Sequence, residues 1–304
     1  MSGRITLTCR FRDPIRLPRY SFLRGSLREA ARRSVALVTL LTDRVDRSVL
    51  EAGKGLRIVA NVAVGVDNID VATATRLGIL VTNTPGVLTE ATADLTWALI
   101  LAVARRVVEG DALVRAGKFR GWNLDLLRGV DLHGKTLGLI GAGRIGKAVA
   151  RRAAGFGMKV LVHSRRSGTS LQRLLERSDI VSLHCPLTPE THHLIERREL
   201  EVMKPTSILI NTARGPIVDE RELIGALKAG RIAGAGLDVY EREPIVPAAL
   251  RRLKNVVLLP HVGSATVETR RRMLDMAVAN VKAALAGRRP ANLVNPEAWA
   301  GRRR

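Results

Sequence analysis

Short apolar segments alternate with stretches of helical periodicity along most of the chain. Nine of these apolar segments are four to seven residues long, which is the length of a buried strand. They cover residues 35–41, 57–62, 79–82, 136–140, 159–163, 180–184, 207–211, 235–239 and 256–259. Strands that alternate with helices usually pair in parallel, so the pattern predicts a parallel α/β architecture.

Two longer segments have the pattern of helices. Residues 90–116 are apolar nearly all round through their middle, which predicts a helix that is buried on several sides. We expect this helix to link two domains and to contact the second subunit of a dimer. The other segment covers residues 265–286 and ends at Gly287 and Pro290, which stop a helix. Residues 10–33 show no clean apolar stripe, and no helix is predicted there.

Length and composition are those of a globular protein with two domains. The chain has 304 residues, and at about 150 residues per domain this length suggests two. Two cysteines, Cys9 and Cys185, are too few for a disulfide framework or a cysteine-rich zinc site. The longest apolar run, residues 95–104, is too short to span a bilayer, and no charged-then-apolar signal opens the chain. We therefore expect a cytoplasmic protein without a membrane segment.

The chain is strongly basic, because 50 Lys+Arg residues against 28 Asp+Glu residues give a formal net charge of +22. The basic residues are scattered, and aromatic residues make up only 3% of the chain. A nucleic-acid-binding protein concentrates its basic residues in a stripe or tail, with aromatic residues among them. The charge therefore indicates an arginine-rich composition and predicts no specific binding of nucleic acid. A field that attracts small anions is the alternative.

A glycine-rich motif directly follows the fourth strand-like segment. Its sequence is Gly141-Ala142-Gly143-Arg144-Ile145-Gly146. A GxGxxG motif between a strand and a helix strongly indicates a dinucleotide site. Gly141 permits the tight turn, Gly143 lets the main chain approach a pyrophosphate, and Gly146 allows close packing of the helix on the strand. We expect the amides of the first helical turn to face the phosphates. A glycine-rich turn without a ligand is the alternative.

The end of the next predicted strand indicates which dinucleotide binds. In this type of domain a residue at that place contacts the adenosine ribose, and Asp or Glu would accept a hydrogen bond from a 2′-hydroxyl. This chain has Ser164-Arg165-Arg166 there, and arginine suits a 2′-phosphate. The sequence therefore predicts a preference for NADP(H). NAD(H) is the alternative if these are merely two more arginines in an arginine-rich chain.

Polar residues lie at the ends of the last three strand-like segments: Arg214 after the first, Asp238 and then Glu243 at the second, and His261 after the third. Because the carboxyl ends of parallel strands share one edge of a sheet, we expect these side chains to converge beside the nicotinamide. Arg214, Glu243 and His261 together make an anion clamp, a carboxylate and a general acid–base. Singly, each also has an ordinary explanation as a solvated arginine, a surface glutamate or a hydrogen-bonded histidine.

The other histidines and Cys185 predict no further site. No two histidines have metal-binding spacing, so we expect no metal. Cys185 has no base near it in the sequence, and we interpret it as a small apolar residue.

Several segments, in this order along the chain, match known signature motifs. They are LLERSDIVSLHCPLTPETHHLI at 174–195, MKPTSILINTARGPIVDERELIGALKAGRIAGAGLDVYEREP at 203–244 and PHVGSAT at 260–266. These segments resemble the D-isomer-specific 2-hydroxy acid dehydrogenase family. Within it, NVAVGVDNIDV at 61–71 and VTNTPGVLTEAT at 81–92 look most like the glyoxylate/hydroxypyruvate reductases. The resemblance covers roughly residues 56–295.

The resemblance implies roles for individual residues. Arg214 would bind the carboxylate and carbonyl of the substrate, His261 would protonate the carbonyl oxygen, and Glu243 would hold His261. Main-chain amides at Val64 and Gly65 would bind the carboxylate from the other domain. The glycine-rich turn, with its Arg144 and Ile145, and the ribose-contacting residues would bind the cofactor. Three further cofactor contacts are expected: Asp238, which would hold the nicotinamide carboxamide, Thr212 and Gly263.

The resemblance also implies a fold of two doubly wound parallel-sheet domains, a Rossmann NAD(P)-binding domain and a smaller flavodoxin-like substrate domain. We expect the substrate domain at residues 1–92, completed by 287–304, and the NAD(P)-binding domain at 93–286. Two departures from the family stand out. The bridge after Ser164 is so short that an edge strand usual in the family is expected to be missing. The first 35 or so residues also match poorly.

The expected function is NAD(P)H-dependent reduction of a small 2-oxo acid, glyoxylate or hydroxypyruvate, by a homodimer. An alternative enzyme is a D-3-phosphoglycerate dehydrogenase. An alternative of another class is a dinucleotide-sensing scaffold like the transcriptional corepressors that share this fold.

Overall fold

Parallel strands and intervening helices build two units in the computed structural model of this chain, which describes residues 4–8, 20–165 and 168–303. The first unit comprises Met1–Leu88 and Thr266–Arg304, and the second comprises Thr89–Ala265. The strands are β1 (Arg4–Leu7), β2 (Tyr20–Phe22), β3 (Ser34–Thr39), β4 (Ile58–Asn61), β5 (Leu80–Thr82), β6 (Thr136–Ile140), β7 (Lys159–His163), β8 (Ile180–Leu183), β9 (Ile208–Asn211), β10 (Gly234–Leu237) and β11 (Val256–Leu258). The helices are α1 (Leu27–Arg33), α2 (Arg47–Ala52), α3 (Val71–Arg76), α4 (Thr89–Ala104), α5 (Val107–Arg115), α6 (Arg144–Ala153), α7 (Leu171–Arg177), α8 (Arg197–Val202), α9 (Glu220–Lys228), α10 (Ala248–Arg251) and α11 (Val267–Leu285).

The strands of the first unit form one parallel sheet in the order β2-β1-β3-β4-β5. All four residues of β4 are buried, as a parallel strand covered on both faces requires. Short polar side chains set the starts of the helices on this sheet. Ser26 caps α1 in a capping box with Glu29, while Asp46 caps α2 and Asp70 caps α3.

Helix α11 completes the first unit. Its residues Met273, Ala277 and Val281 are buried in a cluster with apolar side chains from β1, β3, β4 and β5. The domain boundary expected at residue 286 is therefore corrected to 265, and the one expected at 92 to 88. Periodicity identifies the helix, but it does not show which sheet covers its apolar face.

The strands of the second unit are also parallel and lie in the order β11-β10-β9-β8-β6-β7. The strand order reverses between β6 and β8, which is where ligands bind in doubly wound sheets. All nine strands predicted from the sequence are confirmed, each within two residues of its expected bounds. Strand β7 forms one edge, and the structure contains no strand beyond it in the described part of this unit.

The structure differs from the sequence expectations in two further places. Residues 90–116 form α4 and α5 rather than one helix, because Arg106 between them has a left-handed conformation with a φ of 53°. Near the amino terminus, β1, β2 and α1 were not predicted. Only Ala30 and Ala31 are buried in α1, too few residues to give a periodic stripe. None of the described helices has both the length and the apolar character needed to cross a membrane.

The buried side chain of Asn295 joins the C-terminal segment to β5 and α3. Its Oδ1 accepts from the Val81 amide at 2.8 Å, and its Nδ2 donates to the Ile79 carbonyl at 2.9 Å and the Thr75 hydroxyl at 3.0 Å.

We expect Asn295→Ala to lower the free energy of unfolding by about 1–3 kcal/mol, because buried polar groups lose their partner. Urea unfolding measures the loss. The exposed control Glu297→Ala should change it by less than about 0.5 kcal/mol. Equal unfolding midpoints for the two variants would contradict this assignment.

Candidate active site

The glycine-rich turn connects β6 to α6, as the motif predicts. Gly141 has a φ of 108°, a conformation that residues with a side chain rarely adopt, and a Cβ there would lie 2.6 Å from the carbonyl of His184. A Cβ on Gly146 would collide with the carbonyl oxygen of Gly141. These two glycines therefore allow α6 to begin directly on the end of β6.

The first turn of α6 presents free amides beside open space. Its N-cap, Gly143, has no side chain to accept from them, and a Cβ on Gly143 would meet nothing within 4 Å. The helical hydrogen bonds begin with the Lys147 amide, which donates to the Gly143 carbonyl at 3.0 Å. The amides of Arg144, Ile145 and Gly146 thus have no acceptor within the helix. Free amides at the positive end of a helix dipole fit the phosphates of a dinucleotide.

The strand expected to end at the adenosine ribose is β7. Ser164, directly after it, is half-buried, and Arg165 is exposed. The pKa of Glu190 in a neighbouring loop is lowered, chiefly by the Thr188 hydroxyl and to a small extent by the charge of Arg165. Arg166 lies outside the described residues.

His261 and Glu243 form a hydrogen-bonded pair at the carboxyl edge of the sheet. His261 Nδ1 lies 2.8 Å from Glu243 Oε2, and Glu243 Oε1 accepts from the Tyr240 amide at 3.0 Å. Burial raises the pKa of Glu243, but the hydrogen bond from His261, the charges of His261 and Arg214 and the Tyr240 amide outweigh it and hold the pKa below its usual value. Among the described residues, His261 Nε2 has no hydrogen-bond partner. This nitrogen is therefore available to exchange a proton with a ligand.

Asp238 holds the turn that carries His261. Its carbonyl accepts from the His261 amide at 2.9 Å, its Oδ1 from Val262 at 2.7 Å and its Oδ2 from Gly263 at 2.8 Å. Asp238 is 1% exposed, and this burial raises the pKa of its carboxyl. His261 has a φ of 53°, in the left-handed region that costs most residues free energy. Three consecutive amides bound to one residue hold the turn in that conformation. A contact of Asp238 with the nicotinamide carboxamide stays a prediction.

The turn after β9 presents Arg214. Asn211 is buried and supports this turn: its Nδ2 donates to the Arg214 carbonyl at 2.9 Å, and its Oδ1 accepts from the Ala213 amide at 3.0 Å. Thr212 points into the unit, where its hydroxyl lies 3.0 Å from that of Thr96 on α4. Arg214 itself is half-buried, and its charge makes the smallest of the contributions that lower the pKa of Glu243.

The three strand ends are fixed to one another. A Cβ on Gly215 would collide with the carbonyl group of Tyr240, so the turns after β9 and β10 are in main-chain contact. The Tyr240 hydroxyl donates to the Leu259 carbonyl at 2.9 Å, which adds the end of β11. Burial, the largest cause, and nearby carboxylates raise the pKa of Tyr240 to about 12, so it remains a neutral donor. Arg214, Glu243 and His261 thus lie on adjacent strand ends, as the parallel order predicts.

In the first unit, the segment after β4 has its carbonyls anchored. The carbonyl of Ala63 accepts from the Thr84 amide at 2.8 Å, that of Val64 from Asn83 Nδ2 at 2.8 Å and that of Gly65 from Asn61 Nδ2 at 3.0 Å. In a trans peptide the N–H points away from the C=O. The Gly65 amide is therefore turned away from Asn83, and within the described ranges it donates to no protein acceptor. This orientation suits an anion, although the role of Val64 and Gly65 in substrate binding stays a prediction.

His184 and Cys185 are half-buried residues without nucleophilic character. Burial lowers the pKa of His184 to about 4, and its Nε2 lies 2.9 Å from Ser182 Oγ. Burial also raises the pKa of Cys185 to about 11. Over the residues that the structure describes, no cluster of His, Cys, Asp or Glu is suited to a metal ion.

Sequence reasoning missed the side chains that support this site, among them Asn61, Asn83, Asn211 and Tyr240. An asparagine at the end of a strand is a common turn residue, so Asn211 before the Arg214 turn carried a usable signal. The contacts of Tyr240 and Asn83 join segments 19 residues apart along the chain, and no local pattern indicates them.

Several proteins of known name are similar to this chain over most of its length. A glyoxylate reductase from Thermococcus litoralis is 53% identical over 289 residues, which are 90% of this chain and 87% of that protein. One from Aeropyrum pernix is 54% identical over 301 residues, covering 94% of this chain and 89% of that protein.

Solved structures and a family model agree with this. The crystal structure of an NADPH-dependent glyoxylate/hydroxypyruvate reductase from Sinorhizobium meliloti, in complex with NADP and malonate, has a TM-score of 0.88 and 35% identity. That match covers 99% of each chain. The model of the D-isomer specific 2-hydroxyacid dehydrogenase NAD binding domain matches residues 97–263, more than half of the sequence. The chain therefore belongs to the D-isomer specific 2-hydroxyacid dehydrogenase family.

Proposed function

We propose that this protein reduces glyoxylate, and related small 2-oxo acids such as hydroxypyruvate, to the corresponding 2-hydroxy acid with a reduced nicotinamide dinucleotide. The observation that carries the proposal is the His261–Glu243 pair. Its outer nitrogen has no protein partner in the described structure, and Arg214 lies on the neighbouring turn. The names of the relatives that are 53% and 54% identical support glyoxylate as substrate.

The protein's own residues supply the proton and the orientation. A bound reduced nicotinamide would supply the hydride to the carbonyl carbon. His261 Nε2 donates its proton to the carbonyl oxygen and is left as neutral imidazole. Glu243, ionised and 2.8 Å from Nδ1, stabilises the imidazolium before the transfer and fixes the ring orientation. The Arg214 guanidinium binds the substrate carboxylate through two parallel hydrogen bonds, a geometry that a lysine does not reproduce.

For the cofactor we infer a preference for NADPH over NADH. The glycine-rich turn fits either dinucleotide, so the residues after β7 decide. Residue 164 is Ser and not Asp or Glu, so this position carries no carboxylate that would repel a 2′-phosphate, and the next residue, Arg165, is exposed. The S. meliloti structure was solved with NADP, which supports this choice. The role expected of Arg166 stays a prediction.

We also infer that two copies of the chain pair through the second unit. Helix α5 has no buried residue, and seven exposed large apolar side chains lie between residues 107 and 130, with Trp122 80% and Leu124 78% exposed. An apolar cleft of about 470 Å³ adjoins them, lined by the end of α4, by Val108, Val130 and the start of β11. Exposed apolar side chains and an apolar cleft on the same unit suit a two-fold symmetric dimer, in which the apolar side chains of each copy fill the cleft of the other. The cytoplasmic location and the lack of specific nucleic-acid binding stay predictions.

Removal of the proton donor tests the catalytic roles. We expect His261→Ala to lower kcat for glyoxylate about 10²- to 10⁴-fold. The reduction rate should fall at high pH as His261 loses its proton. Glu243→Gln should move this fall to lower pH, because the protonated imidazole of His261 loses the charge of its partner and its pKa decreases. Steady-state rates across pH measure both effects. His133 is an exposed histidine before the amino end of β6, on the sheet edge opposite to His261, and His133→Ala should keep the wild-type kcat. A His261→Ala enzyme with near-normal turnover would contradict the proposed function.

The cofactor preference is tested by kcat/KM for NADPH and NADH. We expect the wild type to favour NADPH about ten- to a hundredfold, the value of one charge-assisted hydrogen bond. Ser164→Asp should reverse the preference, and Arg165→Ala should reduce it. Arg177→Ala removes an exposed arginine at the far end of α7 and controls for net charge alone. If Arg165→Ala and Arg177→Ala change the ratio equally, Arg165 does not bind the phosphate.

The dimer is tested by the mass of the protein in solution. We expect Leu124→Glu to convert a dimer into a monomer in sedimentation equilibrium, because a buried carboxylate without a partner is costly. Val267→Glu changes another exposed apolar residue, 80% exposed on α11, and should leave the mass unchanged. A monomeric wild type, or a dimeric Leu124→Glu variant, would refute this interface.

A further inference from the structure

His193 links the turn that carries Arg214 to the turn that carries Glu243. Its main-chain amide donates to the Pro216 carbonyl at 2.8 Å. Two residues later, Ile195 pairs in parallel with Val218, and its amide donates to the Ile217 carbonyl at 3.1 Å. The His193 segment is thus hydrogen-bonded along the residues that directly follow Arg214.

The imidazole of His193 reaches the other turn. Its Nε2 lies 2.7 Å from Glu241 Oε1, and its Nδ1 lies 3.8 Å from Asp219 Oδ2. Asp219 is itself fixed, because its Oδ1 accepts from the Glu222 amide at the start of α9. Glu241 is two residues before Glu243, and its side chain forms an ion pair with His193. The carboxyl of Glu220 on α9 also faces this turn, since its pKa is raised chiefly by burial and in part by the charge of Glu241. The His193 side chain therefore contacts the turn that carries Glu243, the carboxylate partner of His261.

The backbone of His193 has an unusual conformation that lets this one residue contact both turns. His193 has a φ of 50°, in the left-handed region, which residues with a side chain rarely adopt. With this backbone, one residue directs its amide to Pro216 and its imidazole to Glu241. The two turns meet where Gly215 contacts the Tyr240 carbonyl, so a shift of one is passed to the other.

We propose that His193, through Glu241, is a positioning residue that aligns the Glu243–His261 pair with Arg214 for proton transfer. This inference rests on the proposed function, since it requires His261 to be the proton donor. His193 touches none of the three side chains directly; it acts through the two turns. A misplacement of about 1 Å at a reacting group can cost as much as a hundredfold in rate, so a modest displacement is measurable.

Three variants of the contact test this role. His193→Asn keeps a residue type that tolerates a positive φ and removes the imidazole. Glu241→Ala removes the acceptor, and Glu241→Gln keeps an oxygen that accepts from Nε2. We expect the first two each to lower kcat about tenfold and to move the alkaline fall of the rate to lower pH, because Glu243 no longer holds the imidazolium as closely. Glu241→Gln should restore most of the rate, and the double variant should lose no more than either single one.

A second ion pair in the same unit serves as the matched control. Lys204 Nζ lies 2.9 Å from Asp179 Oδ1 before β8, at the amino edge of the sheet, with 35% and 20% of the side chains exposed against 30% and 25% for His193 and Glu241. We expect Lys204→Met to lower Tm to a similar extent and to leave kcat and the pH profile unchanged.

The outcomes separate the two hypotheses. An active His261→Ala enzyme would overturn the proposed function. An inactive His261→Ala enzyme, together with wild-type kcat and pH profile in His193→Asn and Glu241→Ala, would overturn the role of His193 alone. A Glu241→Gln variant as slow as Glu241→Ala would do the same, because the hydrogen bond would then not be the active contact. If His193→Asn does not fold, the two Glu241 variants decide the question, since glutamine is nearly isosteric with glutamate.

Discussion

Asp238 binds three consecutive amides with its carbonyl and both carboxylate oxygens, and the geometry of the candidate active site depends on these bonds. They hold His261 in a left-handed conformation that would otherwise cost about 1–2 kcal/mol. With the turn fixed, His261 Nδ1 faces Glu243 and its Nε2 is left without a partner in the described part of the chain. The position of His261, the proposed proton donor, is thus determined by the folded sheet, which is the preorganisation that proton transfer requires.

Much of this arrangement could be predicted because its signals are local. The strand bounds follow from short apolar runs, and the glycines at 141 and 146 follow from a turn that no residue with a side chain could form. Parallel strand order then places Arg214, Glu243 and His261 on one edge. The contacts that orient them were not predictable, because they are tertiary.

The same limit explains the misplaced domain boundary and the divided helix. The apolar face of α11 is visible in the sequence, but its burial against β3 and β4 depends on how the chain returns to the first unit. The break between α4 and α5 depends on a left-handed Arg106, a conformation that an arginine rarely adopts and that its residue type does not indicate. Side-chain amides likewise orient main-chain groups in both units, as Asn61 and Asn83 do for Gly65 and Asn211 does for Arg214.

The return of the chain to the first unit has a consequence for its biosynthesis. The second unit is continuous, from Thr89 to Ala265, whereas the first lacks α11 and the buried Asn295 until the last part of the chain has been made. Domains generally fold as units during synthesis, from the amino terminus onwards. Every residue of the second unit is therefore made before α11, the helix that covers the apolar face of the first unit. The unit whose synthesis begins first is thus completed by a segment that is made after the other unit.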